Sequence, residues 1–404
     1  MRNSGFNSRL MNVIIAISAF SLGTLTTLMV VSENSMQKPN IRDVRKGHLE
    51  AEGGAPQVRK PHHFLVILIT TAPGNVPQRT AMRETWLRNG YVWKSDVPYD
   101  ANSVYIPAYD PETGFLRAET PDIQEYSLNV YKKWMKKYKT INPDLDGQEM
   151  GNISVVHFFA VGMAGLRAEE VNDLREEQKK HEDLLLLENI WDSYSNLTRK
   201  LLESFHRINE EFTFDYLLKC DDDTFVDLAI LLQDLQTYHT HSRIVYGKDD
   251  STYPFPRLYW GYFHGKAYVK TSGQWKEQNF DLCDRYMPYA LGGGYVLSGS
   301  LVAYIADHRN TLKTFRSEDI SVGTWLAPFR DVHRRHDARF DTAFMARKCQ
   351  SYHIVLHKRT IEDMRHFQSG FTCSQIQNDA LRRPKEYFYN WHKPPTQCCD
   401  SLVN

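Results

Sequence analysis

The sequence predicts an α/β protein with a mostly parallel central sheet and helices on both faces. Short apolar runs with the length of buried strands alternate with helical patterns through the first half of the body, an order that favours parallel strands. One run, within Phe214–Asp227, ends abruptly in the consecutive carboxylates Asp221, Asp222 and Asp223. Ligands of open α/β sheets collect beyond the carboxyl ends of the strands, so this stretch also indicates a site.

Length and composition are those of a globular protein. The chain has 404 residues, of which 42% are hydrophobic and 12% aromatic. It is long enough to bury a large core in one big or two ordinary domains. The formal net charge is zero, so the global charge gives no reason to expect a nucleic-acid partner.

The amino terminus predicts a membrane anchor. Asn12–Val31 is apolar, and its length matches the roughly 20 residues that a helix needs to cross a bilayer. Arg2 and Arg9 precede it, which predicts a cytoplasmic amino terminus and a lumenal body. A cleaved signal peptide is the alternative, although such peptides have apolar cores of only about 7–15 residues. We therefore expect a tail at 1–11, a signal anchor at 12–31, a flexible stem at 32–61 and a globular body at 62–404.

Cysteines and glycosylation sequons agree with a lumenal body. Sequons begin at Asn152 and Asn196. Cys220 lies in an apolar strand and is predicted to be a buried thiol. No CxxC pair is present, which disfavours zinc. The other cysteines are free to form disulfides in that compartment, with a pairing that the sequence leaves open: Cys283, Cys349, Cys373, Cys398 and Cys399.

The body begins with the predicted strand His63–Thr71, followed by a turn and a helix. Arg79, Arg83 and Trp86 are spaced to share one face of that helix. Either the arginines form an exposed basic face, or they bind a diphosphate or nucleotide near the end of the first strand. Further strands are predicted at 155–162, 183–188 and 214–220, with helices from 168 and from 192. The irregular stretch Tyr91–Gly151 is too long for a loop and is predicted to be an insertion.

The acidic triplet is predicted to bind a metal ion. In an extended backbone Asp221 and Asp223 project to the same side, so their oxygens can share a divalent cation. His357 closes a later apolar strand and is a candidate third ligand. The alternatives are a solvated acidic turn and a structural histidine. Oxygen and imidazole ligands together suit manganese better than zinc or calcium.

The second half carries a glycine run and a further acidic pair. Gly292, Gly293 and Gly294 are predicted to form a loop that lets the backbone approach a ligand, although a bulge or turn would use glycines too. Glu318 and Asp319 are candidate bases, or else acidic residues favoured at a helix start. Aromatic residues near the glycines are either flat surfaces for sugar rings or core: Tyr259, Trp260, Tyr262 and Tyr289.

These motifs together resemble the β-1,3-galactosyltransferase family, a set of type II Golgi membrane enzymes with the GT-A nucleotide-sugar fold. The resemblance covers residues from His62 to His357 and beyond, apart from the insertion. Ala290 and Trp325 stand where many relatives carry a cysteine pair. The similar segments are Arg79–Trp86, Asp192–Lys200 with Tyr194 and Asn196–Thr198, Asp221–Asp223, Pro288–Ser298, Glu318–Gly323, and Leu356–His357 with Glu362–Met364.

The resemblance implies a GT-A-like fold and an inverting galactose transfer from UDP-galactose to a galactosyl-xylosyl acceptor on a proteoglycan core protein. Mn²⁺ held by Asp221, Asp223 and His357 would neutralise the diphosphate leaving group, and Asp319, or else Glu318, would be the base. The residues it implies in donor binding are Arg79, Arg83, Trp86, Asp192, Tyr194, Lys200, Asp221, Asp222, Gly292, Gly293 and Gly294.

Three alternative functions are compatible with parts of the pattern. A related β-1,3 transferase with another donor or acceptor would carry the same motifs, and a non-catalytic Golgi glycan-binding protein could share the fold. A metal-dependent phosphatase could also use an Asp-rich strand end, but Phe225 stands where its nucleophile pattern needs a small residue. The intact triplet and Glu318–Asp319 favour an enzyme.

Overall fold

The computed structural model describes residues 59–88, 92–93, 104–138, 153–247, 253–368, 373, 381–383 and 386–399. Within these ranges no helix is both long and apolar enough to cross a membrane. The predicted anchor at 12–31, most of the stem and the sequon asparagine Asn152 lie outside them.

The body alternates strands and helices in its first half, as the sequence predicts. The strands are β1 His62–Thr70, β2 Val92–Trp93, β3 Ile153–Gly162, β4 Leu184–Leu187, β5 Thr213–Asp221, β6 Phe225–Val226, β7 Arg257–His264, β8 Tyr289–Ser298, β9 Val332–His336, β10 Phe340–Asp341 and β11 Val355–Leu356. The helices are α1 Val76–Glu84, α2 Pro121–Tyr138, α3 Ala168–His181, α4 Leu197–Glu211, α5 Leu228–Tyr246, α6 Gly299–Asp307, α7 Glu318–Leu326 and α8 Ile361–Gln368.

The central sheet is mostly parallel, which confirms that part of the predicted fold class. Its order is β2-β3-β1-β5-β8-β7-β9, and β4 also pairs with β3. β1 runs parallel to both β3 and β5, and β7 runs parallel to β9. Only β2 and β8 are antiparallel to their neighbours within this sheet. The fold is therefore a mixed α/β fold, consistent with a GT-A-like arrangement.

The middle of the sheet is the centre of the core. Every residue from Leu65 to Ile69 in β1 is inaccessible to solvent, as are Leu217 and Leu218 in β5. Such uninterrupted apolar runs are expected of strands covered on both faces. Thr70 of β1 pairs with Asp221 of β5, so both strands end together where the acidic triplet begins.

A small second sheet joins two distant parts of the chain next to the triplet. Its order is β10-β11-β6. Leu356 of β11 pairs antiparallel with Phe225 of β6. Leu356 immediately precedes His357, and Phe225 lies two residues after Asp223. The pairing thereby brings the histidine to the carboxylates.

Helix α2 lies inside the stretch predicted as an insertion. Its residues Leu128, Tyr131 and Met135 are buried in the main core. The helix is therefore amphipathic, with Tyr131 and Met135 on the core side and the exposed Lys133 and Lys136 on the other. Lys132 on the helix pairs with Glu386 at 3.0 Å. Whether the whole stretch is an insertion stays a prediction.

The glycine run is part of a strand, not a loop. Gly292, Gly293 and Gly294 lie within β8, and Gly294 pairs with Cys220 of β5. Three glycines in succession carry no side-chain pattern, which is why the sequence suggests a break there. The aromatic residues considered for sugar binding are core residues at most 7% exposed: Tyr259, Trp260, Tyr262 and Tyr289.

The cysteines divide as two disulfides and two thiols. Cys349 pairs with Cys373, and Cys398 pairs with its neighbour Cys399. Cys220 is a buried free thiol, which confirms that prediction. Cys283 is exposed and unpaired in the described residues, so it joins no disulfide there.

Candidate active site

The acidic triplet divides into residues that face one another and one that does not. Asp221, Asp223 and His357 each offer a ligand atom, and these atoms lie within 4.8 Å of one another. Asp222 instead accepts hydrogen bonds from Thr71 at 2.6 Å and Asn75 at 2.8 Å. It therefore holds the loop after β1, while its neighbours form a cluster with the composition of a metal site.

The orientation of His357 fits metal binding. Its Nδ1 lies 2.8 Å from the carbonyl oxygen of Ala343, so Nδ1 carries the proton and Nε2 presents its lone pair. Nε2 lies 3.0 Å from Asp223 Oδ1 and 3.4 Å from Asp221 Oδ2. The Asp223 contact is not aligned for a hydrogen bond, and both of its atoms are buried without a hydrogen-bond partner in the described structure. Two buried ligand atoms without hydrogen-bond partners therefore fit a site for a cation.

Without a cation, the two carboxylates act on the histidine. Burial lowers the pKa of His357, but Asp221 and Asp223 outweigh it and raise that pKa to about 9. Lys358 also donates to Asp223 Oδ2 at 2.7 Å. The carboxylates thus interact with both the imidazole of His357 and the ammonium of Lys358, which shows that the cluster favours positive charge and fits a cation.

Lys219 connects the cluster of Asp221, Asp223 and His357 to the second acidic pair. It is fully buried in β5, and its Nζ donates to Asp221 Oδ1 at 2.8 Å and Glu318 Oε1 at 2.7 Å. A third bond of 2.7 Å goes to the carbonyl oxygen of Gly292. Burial alone would lower the pKa of Lys219, but Asp221 and Glu318 raise it well above its usual value.

Sequence reasoning missed Lys219, although a signal was present. The residue interrupts an apolar strand two positions before Asp221, so both side chains point to the same face. A buried lysine needs compensating carboxylates, and an acid on the same face was already known. That combination predicts a buried ion pair at the strand end.

Glu318 and Asp319 occupy different environments at the start of α7. Glu318 is 4% exposed and is paired with Lys219. Asp319 is half-buried, and its oxygens accept backbone N–H bonds from Gly292 at 2.9 Å and Ile320 at 2.8 Å. Burial, followed by the charge of Glu318, raises the pKa of Asp319 to about 8. Asp319 is therefore the member of the pair that can take up a proton near neutral pH.

The glycines of β8 allow these side chains to approach the strand. A Cβ at Gly292 would lie 2.6 Å from Glu318 Oε1, and one at Gly293 would lie 2.5 Å from the His357 ring. A Cβ at Gly294 would lie 2.7 Å from Val355 Cγ1. The predicted close approach therefore exists, but it is to protein side chains.

The arginines of α1 are neither exposed nor free. Arg79 is fully buried and pairs with Glu177 at 2.6 Å. Arg83 pairs with Glu177 at 2.8 Å and Asp183 at 2.7 Å. The exposed basic face is thus wrong, and direct diphosphate contact would require these buried pairs to break. Arg79 also donates to the carbonyl oxygens of Ala72 and Pro73, so it fixes the loop after β1.

The motif of Asp192, Tyr194 and Lys200 lies partly under the same loop. Lys200 is buried and donates to Asp192 Oδ2 at 2.6 Å and to the carbonyl oxygen of Thr71 at 2.5 Å. Burial lowers the pKa of Lys200. Tyr194 is 41% exposed, and burial, followed by the charges of Glu318 and Asp319, raises its pKa to about 12. Only Tyr194 of these three is accessible beside the acidic pair.

Trp86 is a core residue. It is 5% exposed and belongs to the main hydrophobic cluster. Its indole nitrogen has no hydrogen-bond partner in the part of the chain that the structure describes. Direct contact with a donor nucleotide would need a different side-chain position.

An α/β sheet that ends in a carboxylate–imidazole cluster beside a second acidic pair is compatible with an enzyme of the group-transfer class. Residues 129–338 match the Galactosyltransferase family. The chain is 36% identical over 363 residues to mouse Beta-1,3-galactosyltransferase 6, with 89% of each chain covered. The chain therefore belongs to the galactosyltransferase family and is a glycosyltransferase.

More distant relatives match shorter parts of the chain. Mouse UDP-GalNAc:beta-1,3-N-acetylgalactosaminyltransferase 2 is 33% identical over 154 residues, which is 38% of this chain and 28% of that protein. The Arabidopsis thaliana Hydroxyproline O-galactosyltransferase GALT5 is 30% identical over 213 residues, 52% of this chain and 29% of that protein. The family match contains the acidic triplet and the Glu318–Asp319 pair, whereas His357 lies beyond it.

Proposed function

We propose that the protein is a Mn²⁺-dependent, inverting transferase that moves galactose from UDP-galactose to a galactosyl-xylosyl acceptor on proteoglycan core proteins. The product linkage would be β-1,3, as in glycosaminoglycan linkage synthesis. The observation that carries the proposal is the division of the acids. Asp221 and Asp223 face His357, whereas Asp319 is free of any cation partner in the described residues.

The residues present fit the proposed metal. Asp221 Oδ2, Asp223 Oδ1 and His357 Nε2 would hold it, with the carbonyl of Ala343 orienting the imidazole. Mixed oxygen and imidazole ligands suit manganese. When bound, the cation neutralises the diphosphate leaving group.

The other side chains supply proton transfer and positioning. Asp319 would accept the proton of the acceptor hydroxyl as that oxygen forms the new bond on the face opposite the leaving group, which inverts the anomeric centre. Each Asp319 oxygen keeps a free lone pair beyond its one backbone bond. Lys219 holds Glu318 in an ion pair, so Glu318 remains the second choice for the base.

Donor binding would involve the loop after β1 and the start of α4. Tyr194, Asp221 and Asp222 are the candidates with direct access. The remaining predicted donor residues support the site through buried bonds or close packing: Arg79, Arg83, Trp86, Asp192, Lys200, Gly292, Gly293 and Gly294. This assignment replaces the direct diphosphate contacts expected for the arginines.

A different nucleotide sugar is the second candidate. Part of the chain is 33% identical to a protein named for GalNAc transfer. A donor panel decides between the two. With galactosyl-xyloside as acceptor and Mn²⁺ present, we expect transfer from UDP-galactose and little from UDP-GalNAc, and EDTA should abolish it. Preference for UDP-GalNAc would refute the proposed donor. Full activity in EDTA, for the wild type or for the variant Asp223→Asn, would refute the proposed metal dependence.

The proposed location is the Golgi membrane, with the body in the lumen. The apolar segment 12–31, the preceding Arg2 and Arg9, and the sequons at Asn152 and Asn196 support it. The proposed function does not involve nucleic acid. The partners would be the donor, the proteoglycan acceptor and the membrane.

A further inference from the structure

Two accessible aromatic rings meet beside the candidate active site. Phe344 is 62% exposed, and Trp275 is partly exposed. Their ring centroids are 5.6 Å apart with an angle of 69° between the planes. We call Trp275 and Phe344 the aromatic rim.

Trp275 is fixed on the side of the acidic pair. It lies in the excursion between β7 and β8, residues 265–288. The carbonyl oxygen of its neighbour Gln274 accepts a 3.2 Å hydrogen bond from the Arg316 side chain. The backbone N–H of Arg316 donates to Glu277 at 2.7 Å, just before Glu318. A small separate core packs the excursion against the start of α7: Ala267, Tyr286, Tyr289, Phe315 and Ile320.

Phe344 is fixed on the side of the metal cluster. It directly follows Ala343, whose carbonyl oxygen accepts the hydrogen bond from His357 Nδ1. The rim therefore joins the segment that leads to Asp319 with the segment that orients the histidine.

Accessible apolar surface next to polar groups is typical of ligand sites. A rigid ring offers a large contact area at a small cost in conformational entropy. The sugar that loses its hydroxyl proton must lie against Asp319, so the ring nearest the acidic pair is well placed to contact that sugar. Tyr194 lies close both to Trp275 and to the charges of Glu318 and Asp319, so the ring of Trp275 and the acidic pair border the same tyrosine.

We propose that the aromatic rim of Trp275 and Phe344 binds the apolar C–H face of the acceptor sugar and orients its hydroxyl toward Asp319. The inference rests on the proposed function, because it takes Asp319 to be the base. The uracil ring of the donor is the competing occupant, and the experiment separates the two.

The test measures binding and does not depend on turnover. The full chain, as wild type and as Trp275→Ala and Phe344→Ala, is saturated with UDP and Mn²⁺ and titrated with galactosyl-xyloside. We expect each variant to bind the disaccharide about tenfold more weakly, with UDP affinity within about twofold of wild type. Trp275→Phe should retain most of the binding. Phe255→Ala, a 44% exposed ring before the opposite end of β7, is the matched control and should bind normally.

Several outcomes would overturn the rim. Unchanged disaccharide affinity in both alanine variants excludes it, as does a wild type that binds no disaccharide. A parallel fall in UDP affinity would assign the rings to the nucleotide. The proposed function is judged separately on the same samples: a wild type that binds the disaccharide but transfers no galactose refutes that function, and it leaves standing only the binding of the sugar by the two rings, not the orientation of its hydroxyl toward Asp319.

Discussion

Lys219 shows how one residue determines the organisation of the site. A fully buried ammonium is stable only where carboxylates compensate it, and here it binds an acid from each of the two groups. The same ammonium group that holds Asp221 in place also neutralises Glu318. The roles of the acids follow from this arrangement, since Asp319 is left without a cationic partner in the described structure.

Replacing Lys219 alone should be severe. Lys219→Met leaves Glu318 with a buried, uncompensated charge, and we expect unfolding to become easier by about 3–5 kcal/mol. The double variant Lys219→Met/Glu318→Gln also removes the charge of Glu318, leaves Asp221 beside His357 and should recover part of that loss. Chemical denaturation of the single and double variants measures it. A single variant as stable as wild type would exclude the ion pair as a structural requirement.

The pKa of Asp319 predicts a pH dependence of stability. Its folded pKa is about 8, above that of an unfolded aspartate. The folded state therefore holds a proton that the unfolded state releases, and this contribution, complete below pH ~4, is lost as the pH rises through about 8. In EDTA, wild type should lose more stability between pH 6 and pH 9 than Asp319→Asn. Equal losses in urea unfolding curves would contradict the raised pKa.

At the scale of elements, the strands were predictable and the contacts between them were not. The runs that became β1, β3, β4 and β5 are mostly apolar, so burial on both faces left a clear signal despite single polar residues such as Lys219. The glycines of β8 gave none, because a strand without side chains has no pattern to read. The partner of Arg79 is Glu177, 98 residues away, and sequence spacing does not report such a contact.

The glycine strand gives a prediction that belongs to this scale. Gly293→Ala places a Cβ 2.5 Å from the His357 ring, so the imidazole must move. We expect Mn²⁺ to bind about 10–100-fold more weakly, as when a supporting group of a metal ligand is lost. Stabilisation of the protein by added Mn²⁺, read from the unfolding temperature, measures it. Gly74→Ala is the matched control, since a Cβ there would meet nothing within 4 Å. Equal Mn²⁺ stabilisation in Gly293→Ala and wild type would contradict the assignment.

At the scale of the molecule, the sequence predicted the class of fold and selected Asp221, Asp223, His357 and the Glu318–Asp319 pair, which the structure connects through Lys219. Each depends on residues close in sequence, or on a motif that the family resemblance supplied. The excursion that carries Trp275 and the core face of α2 are long-range packing features, which local patterns do not encode. The aromatic residues chosen from sequence proved to be core, while accessible rings elsewhere border the site.

The topology of the whole chain can be tested directly. If 12–31 anchors the chain with the body in the lumen, the carboxyl terminus should resist protease in sealed microsomes and become sensitive when detergent is added. One or both sequons should carry glycans, so that an endoglycosidase lowers the apparent mass. A terminus digested without detergent would place the body on the wrong side of the membrane.

The central claim is that the acids of this site divide into metal ligands and a base, and turnover of Asp319→Asn tests it most directly. With UDP-galactose, acceptor and Mn²⁺ saturating, we expect turnover to fall by about 10²–10⁴-fold, as for the loss of a general base. UDP and Mn²⁺ should still bind with wild-type affinity, and Asp281→Asn, which alters an exposed acid, should be fully active. If Asp319 only supports the start of α7, the variant would be less stable by around 1 kcal/mol yet retain substantial turnover. That result would contradict the division of roles.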